Sequence, residues 1–239
     1  MKITYIYHSG FAIETESCIV LIDYYKDTDT LHGYVHEQLL RCKKPLYILA
    51  SHFHPDHFNR EVLTWKEEKP NITYIFSKDI LKHKRAKKED GIFIQKGDVY
   101  SDEMVKIEAF GSTDIGVSFL IYLEGKSIFH AGDLNNWHWK DESTPEEIVA
   151  AETAFLKELE IIAKVAPQID LVMFPIDARI GTDYMRGAEQ FVDRIRTGVF
   201  LPMHFGSAYE EANAFKIYAE SKNVHFIDII HTEQIINTQ

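Results

Sequence analysis

Leu46-Tyr47-Ile48-Leu49-Ala50 runs without a break into Ser51-His52-Phe53-His54-Pro55-Asp56-His57-Phe58, and the fold is best read outward from this stretch. The first five residues are the short apolar run of a fully buried strand. The run stops where the polar residues begin, so three histidines and an aspartate sit at a strand's C-terminal end. There the chain leaves regular geometry, and His52 and His54, two apart, can turn both imidazoles toward one point. Imidazole and carboxylate with no thiolate are donors that suit zinc, manganese or iron. Four such side chains in six positions crowd a single tetrahedral ion, which points to two neighbouring metal sites.

Upstream, Ile3–His8, Phe11–Thr15 and Cys18–Ile22 read as strands, with Ser9-Gly10 and Glu16-Ser17 as turns, an antiparallel opening meander. Downstream, a short helix over Arg60–Glu68 precedes strands at Ile72–Phe76, Val105–Phe110, Gly116–Leu123 and Ser127–Ala131. Thr144-Pro145-Glu146-Glu147 is a helix start, with a threonine cap, proline at the first helical position and a glutamate able to close a capping box. That helix ends before Pro167, and Ile148, Phe155, Leu159, Ile162 and Ala166 form its core-facing stripe. Strand and helix then alternate: Ile169–Phe174, helix Asp183–Arg196, Gly198–Leu201, helix Glu210–Ser221, Val224–Ile230, and a short final strand. Strands first and interspersed helices later suggest two sheets with helices outside, in a single domain over 1–239.

Two further segments place ligand-type residues at strand ends. Ile128-Phe129-His130-Ala131-Gly132-Asp133 closes on a glycine turn and a carboxylate, and Pro202-Met203-His204-Phe205-Gly206 closes on a histidine. In that order, His52-x-His54-x-Asp56-His57, Gly132-Asp133 and His204 resemble the motif series of the metallo-β-lactamase superfamily, across nearly the whole chain. Tyr7-His8-Ser9-Gly10-Phe11 and Val20-Leu21-Ile22-Asp23, with Pro202–Gly206, are more specifically similar to the branch containing L-ascorbate-6-phosphate lactonase.

The resemblance implies an α/β (α+β) chain folded as an αββα four-layer sandwich, with metals at one edge of its sheets. By the same resemblance His52 and His54 bind a first ion, Asp56, His57 and His204 a second, and Asp133 bridges both. Zinc leads as the metal, with manganese or iron as alternatives, and two ions are favoured over one. One departure stands out: the superfamily places a further histidine before the bridging aspartate, where this chain reads Phe110-Gly111-Ser112-Thr113-Asp114-Ile115-Gly116, and none lies between His83 and His130. Asp114, a serine or water oxygen, or His130 can stand in for it.

Such ions make water a nucleophile near neutral pH and hold charge developing on an acyl or phosphoryl centre. Asp56 can orient that water. His138, in Asn135-Asn136-Trp137-His138-Trp139, is either the proton donor to the leaving group or part of a lid packing unit. Arg179 can clamp a substrate phosphate or carboxylate, a surface salt bridge being the plainer alternative. His8 and Asp23 read as supports for the ligands or as turn caps. His32, His36, His225 and His231 have no partner at ligand spacing and read as surface or packing histidines.

The expected activity is therefore metal-dependent hydrolysis of a small anionic metabolite, a lactone, ester or phosphodiester. The alternative is a weakly active or inactive single-metal sensor or binding protein on the same fold. A net charge of −11 disfavours nucleic acid as a partner, since that binding rests on lysine and arginine. The Lys82, His83, Lys84, Arg85, Lys87, Lys88 run reads as a solvated face. Cys18 and Cys42 lack zinc-knuckle or disulfide-scaffold spacing, Met1-Lys2-Ile3-Thr4-Tyr5-Ile6-Tyr7 does not read as a signal sequence, and no apolar run reaches membrane-spanning length. The expected setting is the cytoplasm with a small-molecule substrate and no membrane, assembly into a homo-oligomer being left open.

Overall fold

A computed structural model describes residues 1–29 and 33–237 of the chain. His32 lies outside the described residues. Contacts divide the chain into two compact units, residues 1–95 with 230–239, and residues 96–229.

The first unit holds strands β1 (Lys2–Tyr7), β2 (Gly10–Glu14), β3 (Ile19–Ile22), β4 (Leu46–Ala50), β5 (Ile72–Ser77) and β6 (Ile92–Ile94), helix α1 (Lys78–Lys82), and β14 (Ile235–Asn237). They form one sheet in the order β14-β1-β2-β3-β4-β5-β6. The opening meander is antiparallel as expected, and β3 to β6 run parallel. Leu21 stands opposite Ile48 and Ile22 opposite Leu49, so the ends of β3 and β4, which carry Asp23 and Ser51, come side by side. Period-two alternation sends Ile19, Leu21, Leu46, Ile48, Ala50, Tyr74 and Phe76 to one face. There they meet Val35, Leu39, Phe58, Val62, Trp65 and Ile80 in a buried cluster. The short helix expected over 60–68 is a 3-10 turn series, Arg60–Glu67, capped by the Asn59 side chain on the Glu61 amide.

The second unit contains β7 (Val99–Ser101), β8 (Val105–Gly111), β9 (Val117–Leu123), β10 (Lys126–His130), β11 (Gln168–Pro175), β12 (Arg196–Met203) and β13 (His225–Phe226). Its helices are α2 (Pro145–Val165), α3 (Arg186–Arg194), α4 (Tyr209–Asn213) and α5 (Lys216–Ser221). The sheet order is β13-β12-β11-β10-β9-β8-β7, antiparallel from β7 to β10 and parallel from β10 to β13. The C-terminal ends of β8, β10, β11 and β12 therefore share one edge, which fixes where Asp114, Asp133, Asp177 and His204 emerge. The capping box at Thr144 and Glu147 is formed. Phe155, Leu159 and Ile162 of α2 are buried, Phe155 lying against Phe174, while Ile148 is only half-buried.

Several expected elements are shorter. The helix expected over 210–221 breaks between α4 and α5, where the Asn213 side chain bonds both the amide and the carbonyl of Ile229. The same contact, with the Lys216–Asp228 ion pair, draws the chain after Phe226 out of the sheet and shortens the strand expected over 224–230. Asp183 takes φ 62° and starts a turn, so α3 begins only at Arg186. Short edge strands β6 and β7 and helix α1 were not legible in the sequence. The basic run is exposed at Lys82, His83, Lys84, Lys87 and Lys88, as a solvated face should be. No helix among the described residues is long and apolar enough to cross a membrane.

Gly198 sits where β12 passes β11 closely: a Cβ there would lie 2.6 Å from the Asp170 carbonyl oxygen. That neighbour is backbone and cannot step aside. Gly198→Ala is expected to destabilise the protein by about 1–3 kcal/mol, the usual cost of overpacking. A denaturant midpoint equal to that of the wild type would contradict this tight β11–β12 approach.

Candidate metal centre

In the first unit the site is organised by Asp23, a fully buried carboxylate just past β3. Its Oδ1 accepts the Ser51 amide at 2.7 Å, and its Oδ2 accepts the Ser51 hydroxyl at 2.7 Å and the His57 Nδ1–H at 2.7 Å. Ser51 has one hydroxyl proton, and it goes to Asp23. Ser51 Oγ, 3.0 Å from His52 Nδ1, is then the acceptor of that contact. Both imidazoles are thereby held as Nδ1–H tautomers with the Nε2 lone pair available for a metal, the arrangement metal-binding histidines require.

The loop is held from its other side too. The His54 carbonyl accepts the amides of His57 and Phe58, folding Pro55 and Asp56 into a tight turn. Asp79, buried in α1, accepts the Phe53 amide at 2.8 Å, and the Phe53 ring stacks on His83 at 3.8 Å. Neither Asp79 nor His83 was singled out as a support in the sequence, because each acts through backbone or ring stacking at long separation. The rings of His52 and His54 meet edge to face at 4.7 Å, and their ligand atoms lie within 4.8 Å of each other.

His8, Asp56 and His57 also bring one ligand atom each within 4.8 Å of one another. His8 Nε2 lies 3.3 Å from Asp56 Oδ2. His8 takes φ 59°, a conformation rare outside glycine, with its amide donating to the Tyr5 hydroxyl. It stands closer to ligand chemistry than the supporting role expected of it. Burial pushes the Asp56 carboxyl upward, but the hydrogen bond from His8 and the electrostatic pull of the neighbouring His57 and His8 rings outweigh it and hold Asp56 well below the usual carboxylate range.

In the second unit His204 follows β12 at φ 63°, and its Nδ1 contacts Asp177 Oδ2 at 2.9 Å. Asp177 is buried at the end of β11 and is gripped by the Arg179 guanidinium, Nε at 2.9 Å from Oδ1 and Nη2 at 2.5 Å from Oδ2. Burial raises the Asp177 carboxyl, while His204 and Arg179 together bring it far below the usual range. With Nδ1 turned to Asp177, His204 Nε2 faces Asp133 Oδ1 at 3.3 Å. A lone pair and a carboxylate oxygen so close require a proton or a cation between them. Among these donors are only nitrogen and oxygen, so the residues fit a divalent transition metal of the zinc, manganese or iron type.

Thr113 fastens the neighbouring loop. Its hydroxyl donates to the Asn135 carbonyl at 2.5 Å and accepts the Asn135 amide at 3.0 Å. Carboxylate oxygens of Asp114 and Asp133 come within 4.8 Å. His130, the other stand-in considered for the missing histidine, is fully buried and its Nδ1 accepts the Gly132 amide.

His138 is buried, with Nε2 3.2 Å from the Asp183 carbonyl and Nδ1 accepting the Lys140 amide. Both ring nitrogens thus serve the loop, which supports the packing alternative over proton donation. Trp137 instead donates Nε1–H to the Asp133 carbonyl and packs edge-on against His204. The side chain of Arg179 is 65% exposed although it forks Asp177. His36, read as an ordinary histidine, bridges Asp27 and Glu61 at 2.6 and 2.9 Å.

Asp23→Asn replaces an acceptor with a donor opposite His57 Nδ1. It is expected to lower divalent-metal affinity about 10–100-fold, the usual effect of losing a ligand's supporting hydrogen bond. Chelator competition measures this, and an unchanged affinity would show that the Asp23–His57 contact does not set the ligand.

A family model described as the beta-lactamase superfamily domain matches residues 2–151. A UPF0173 metal-dependent hydrolase of Symbiobacterium thermophilum is 27% identical over 217 residues, 87% of this chain and 85% of that protein. One from Nanoarchaeum equitans is 23% identical over 247 aligned residues, 98% and 99% of the two chains. A solved metallo hydrolase structure from Ignicoccus hospitalis matches with a TM-score of 0.71 at 18% identity, over 100% of this chain and 99% of that one. The motif series, the family match and the likeness of fold agree, and the chain belongs to the metallo-β-lactamase superfamily.

Proposed function

We propose that this chain is a metal-dependent hydrolase that opens a lactone, ester or phosphodiester bond in a small anionic metabolite. The observation that carries this reading is a repeated device. His52 and His57 in one unit and His204 in the other each have Nδ1 turned to a hydroxyl or carboxylate, which leaves Nε2 as the donor. The relatives named metal-dependent hydrolases support the reaction class.

In this reading His52, His54, Asp56 and His57, with His8 beside Asp56, would supply ligands from the first unit, and Asp133 and His204 from the second. Zinc leads, and manganese or iron are alternatives. Divalent ions bound there would supply Lewis acidity, making water nucleophilic near neutral pH and stabilising an oxyanion. Asp56, held ionised by His8 and His57, accepts a hydrogen bond from the attacking water and orients it. The Arg179 guanidinium, 65% exposed beside its fork on Asp177, would meet the phosphate or carboxylate of the substrate. His138 holds the loop that carries Asp133. Similarity of the opening residues to the L-ascorbate-6-phosphate lactonase branch puts phosphorylated lactones first among substrates to try.

Protein reconstituted with zinc or manganese is expected to retain two ions per chain, and Asp133→Ala and His204→Ala to retain fewer. On a panel of phosphorylated lactones and phosphodiesters, Asp56→Ala is expected to lower kcat by about 10²–10⁴-fold, the range for losing a group that handles the nucleophile's proton. One ion without turnover on any panel member is the result expected of a single-metal sensor or binding protein. No retained metal would contradict both readings.

A further inference from the structure

We propose that the cleft between the 136–140 loop, α2 and the start of α3 is a binding site for a small zwitterion, an α-amino acid or a similar amino carboxylate. None of its residues is among the metal-ligand candidates, and the inference stands whether or not the metal-dependent reading holds.

The cleft has a volume of about 260 Å³ and lies wholly within residues 96–229. Pockets for drug-sized ligands run to about 300–1,000 Å³, so this one suits a smaller molecule. Asn136, 1% exposed, is its most deeply buried lining residue, and the hydrogen bonds around it fix which way its amide points. Glu152, an ionised carboxylate, can only accept. Its Oε1 takes the Arg186 guanidinium, at 3.0 Å from Nε and 2.6 Å from Nη2, and the Gln190 Nε2–H. Gln190 therefore turns its own Oε1 the other way, where it accepts the Asn136 Nδ2–H at 3.0 Å. Asn136 Oδ1 is left buried, and no donor among the described residues reaches it. A buried acceptor without a donor costs stability and calls for an occupant that supplies one.

The walls are tied to one another. His138 donates Nε2–H to the Asp183 carbonyl at 3.2 Å, and Lys140 pairs with the Asp183 carboxylate at 2.5 Å. Gly187 of α3 comes so near the loop that a Cβ there would lie 1.9 Å from Asn135 Oδ1. Charge decides the class of ligand. Lys140 and Arg186 balance Glu152 and Asp183, so an anion or a cation alone meets repulsion as well as attraction. A molecule with one charge of each sign can face an opposite charge at both ends. Its ammonium donates to Asn136 Oδ1 and to Glu152 Oε2, since the bonds already made to Glu152 fall on Oε1. Its carboxylate meets Lys140 and the Arg186 Nη1–H groups that Glu152 does not use. A neutral polyol offers the donors but nothing for the two cations.

Calorimetry and unfolding midpoints of the purified full chain, with each standard amino acid in turn, test this. At least one amino acid is expected to bind and to raise the midpoint, in chelator-treated as in metal-loaded protein. The matching amine without the carboxylate, and the matching acid without the amine, are expected to bind at least about tenfold more weakly, the usual cost of a lost charged hydrogen bond. Asn136→Leu and Arg186→Gln are expected to weaken binding to a similar extent, and Arg186 is exposed, so its variant keeps the fold. His204→Ala is expected to leave binding unchanged. Binding that survives Arg186→Gln but is lost in His204→Ala or on chelation would place the amino acid on a metal and overturn the proposal. A folded chain that binds no amino acid would overturn it too, as would crystals grown with amino acids that show only an ordered water at Asn136 Oδ1.

Discussion

The buried carboxylate of Asp23 is the contact on which the candidate centre depends. Placing an ionised group where water does not reach costs several kcal/mol unless its lone pairs are met. Here they are met by the Ser51 amide, the Ser51 hydroxyl and His57. Parallel pairing of β3 with β4 brings those partners to Asp23, so the sheet register and the orientation of two imidazoles are one problem with one solution. A register slip of one residue would turn Ser51 to the opposite face and release both rings.

The second unit solves the same problem with different residues. Asp177, from the end of β11, orients His204 from the end of β12, and Arg179 neutralises the buried charge. Backbone strain accompanies both solutions. His8, Asp23 and His204, all just past strand ends, take positive φ without being glycine. Such conformations persist where surrounding contacts over-determine them, and they gather at functional sites.

Much of this was legible in the sequence because local chemistry announced it. The apolar run Leu46–Ala50 forms β4 with those bounds, and the Thr144 capping box opens α2. The histidines at 52, 54 and 57, with Asp133 and His204, were readable as ligand-type residues following strands, and the structure places them after β4, β10 and β12. What stayed hidden was set by tertiary contact. The Asn213 grip on Ile229 breaks a helix whose periodicity looked continuous, and the edge strands β6 and β7 are three residues each, too short to show a period. Asp79 supports the loop after β4 through one backbone amide, 26 residues away, and no residue pattern encodes that. Thr113 acts through a hydroxyl on the Asn135 backbone, 22 residues away, which its neighbours in sequence do not announce.

Partners on Nδ1 turn His52, His57 and His204 so that Nε2 is the atom offered to a metal. Anomalous scattering at a metal absorption edge, from crystals of metal-reconstituted protein, tests this directly. Peaks are expected at bonding distance, about 2.0–2.1 Å for zinc, from Nε2 of these histidines, with Asp23 still on His57 and Asp177 still on His204. Peaks at Nδ1 with the rings flipped, or no peak beside these side chains, would contradict it.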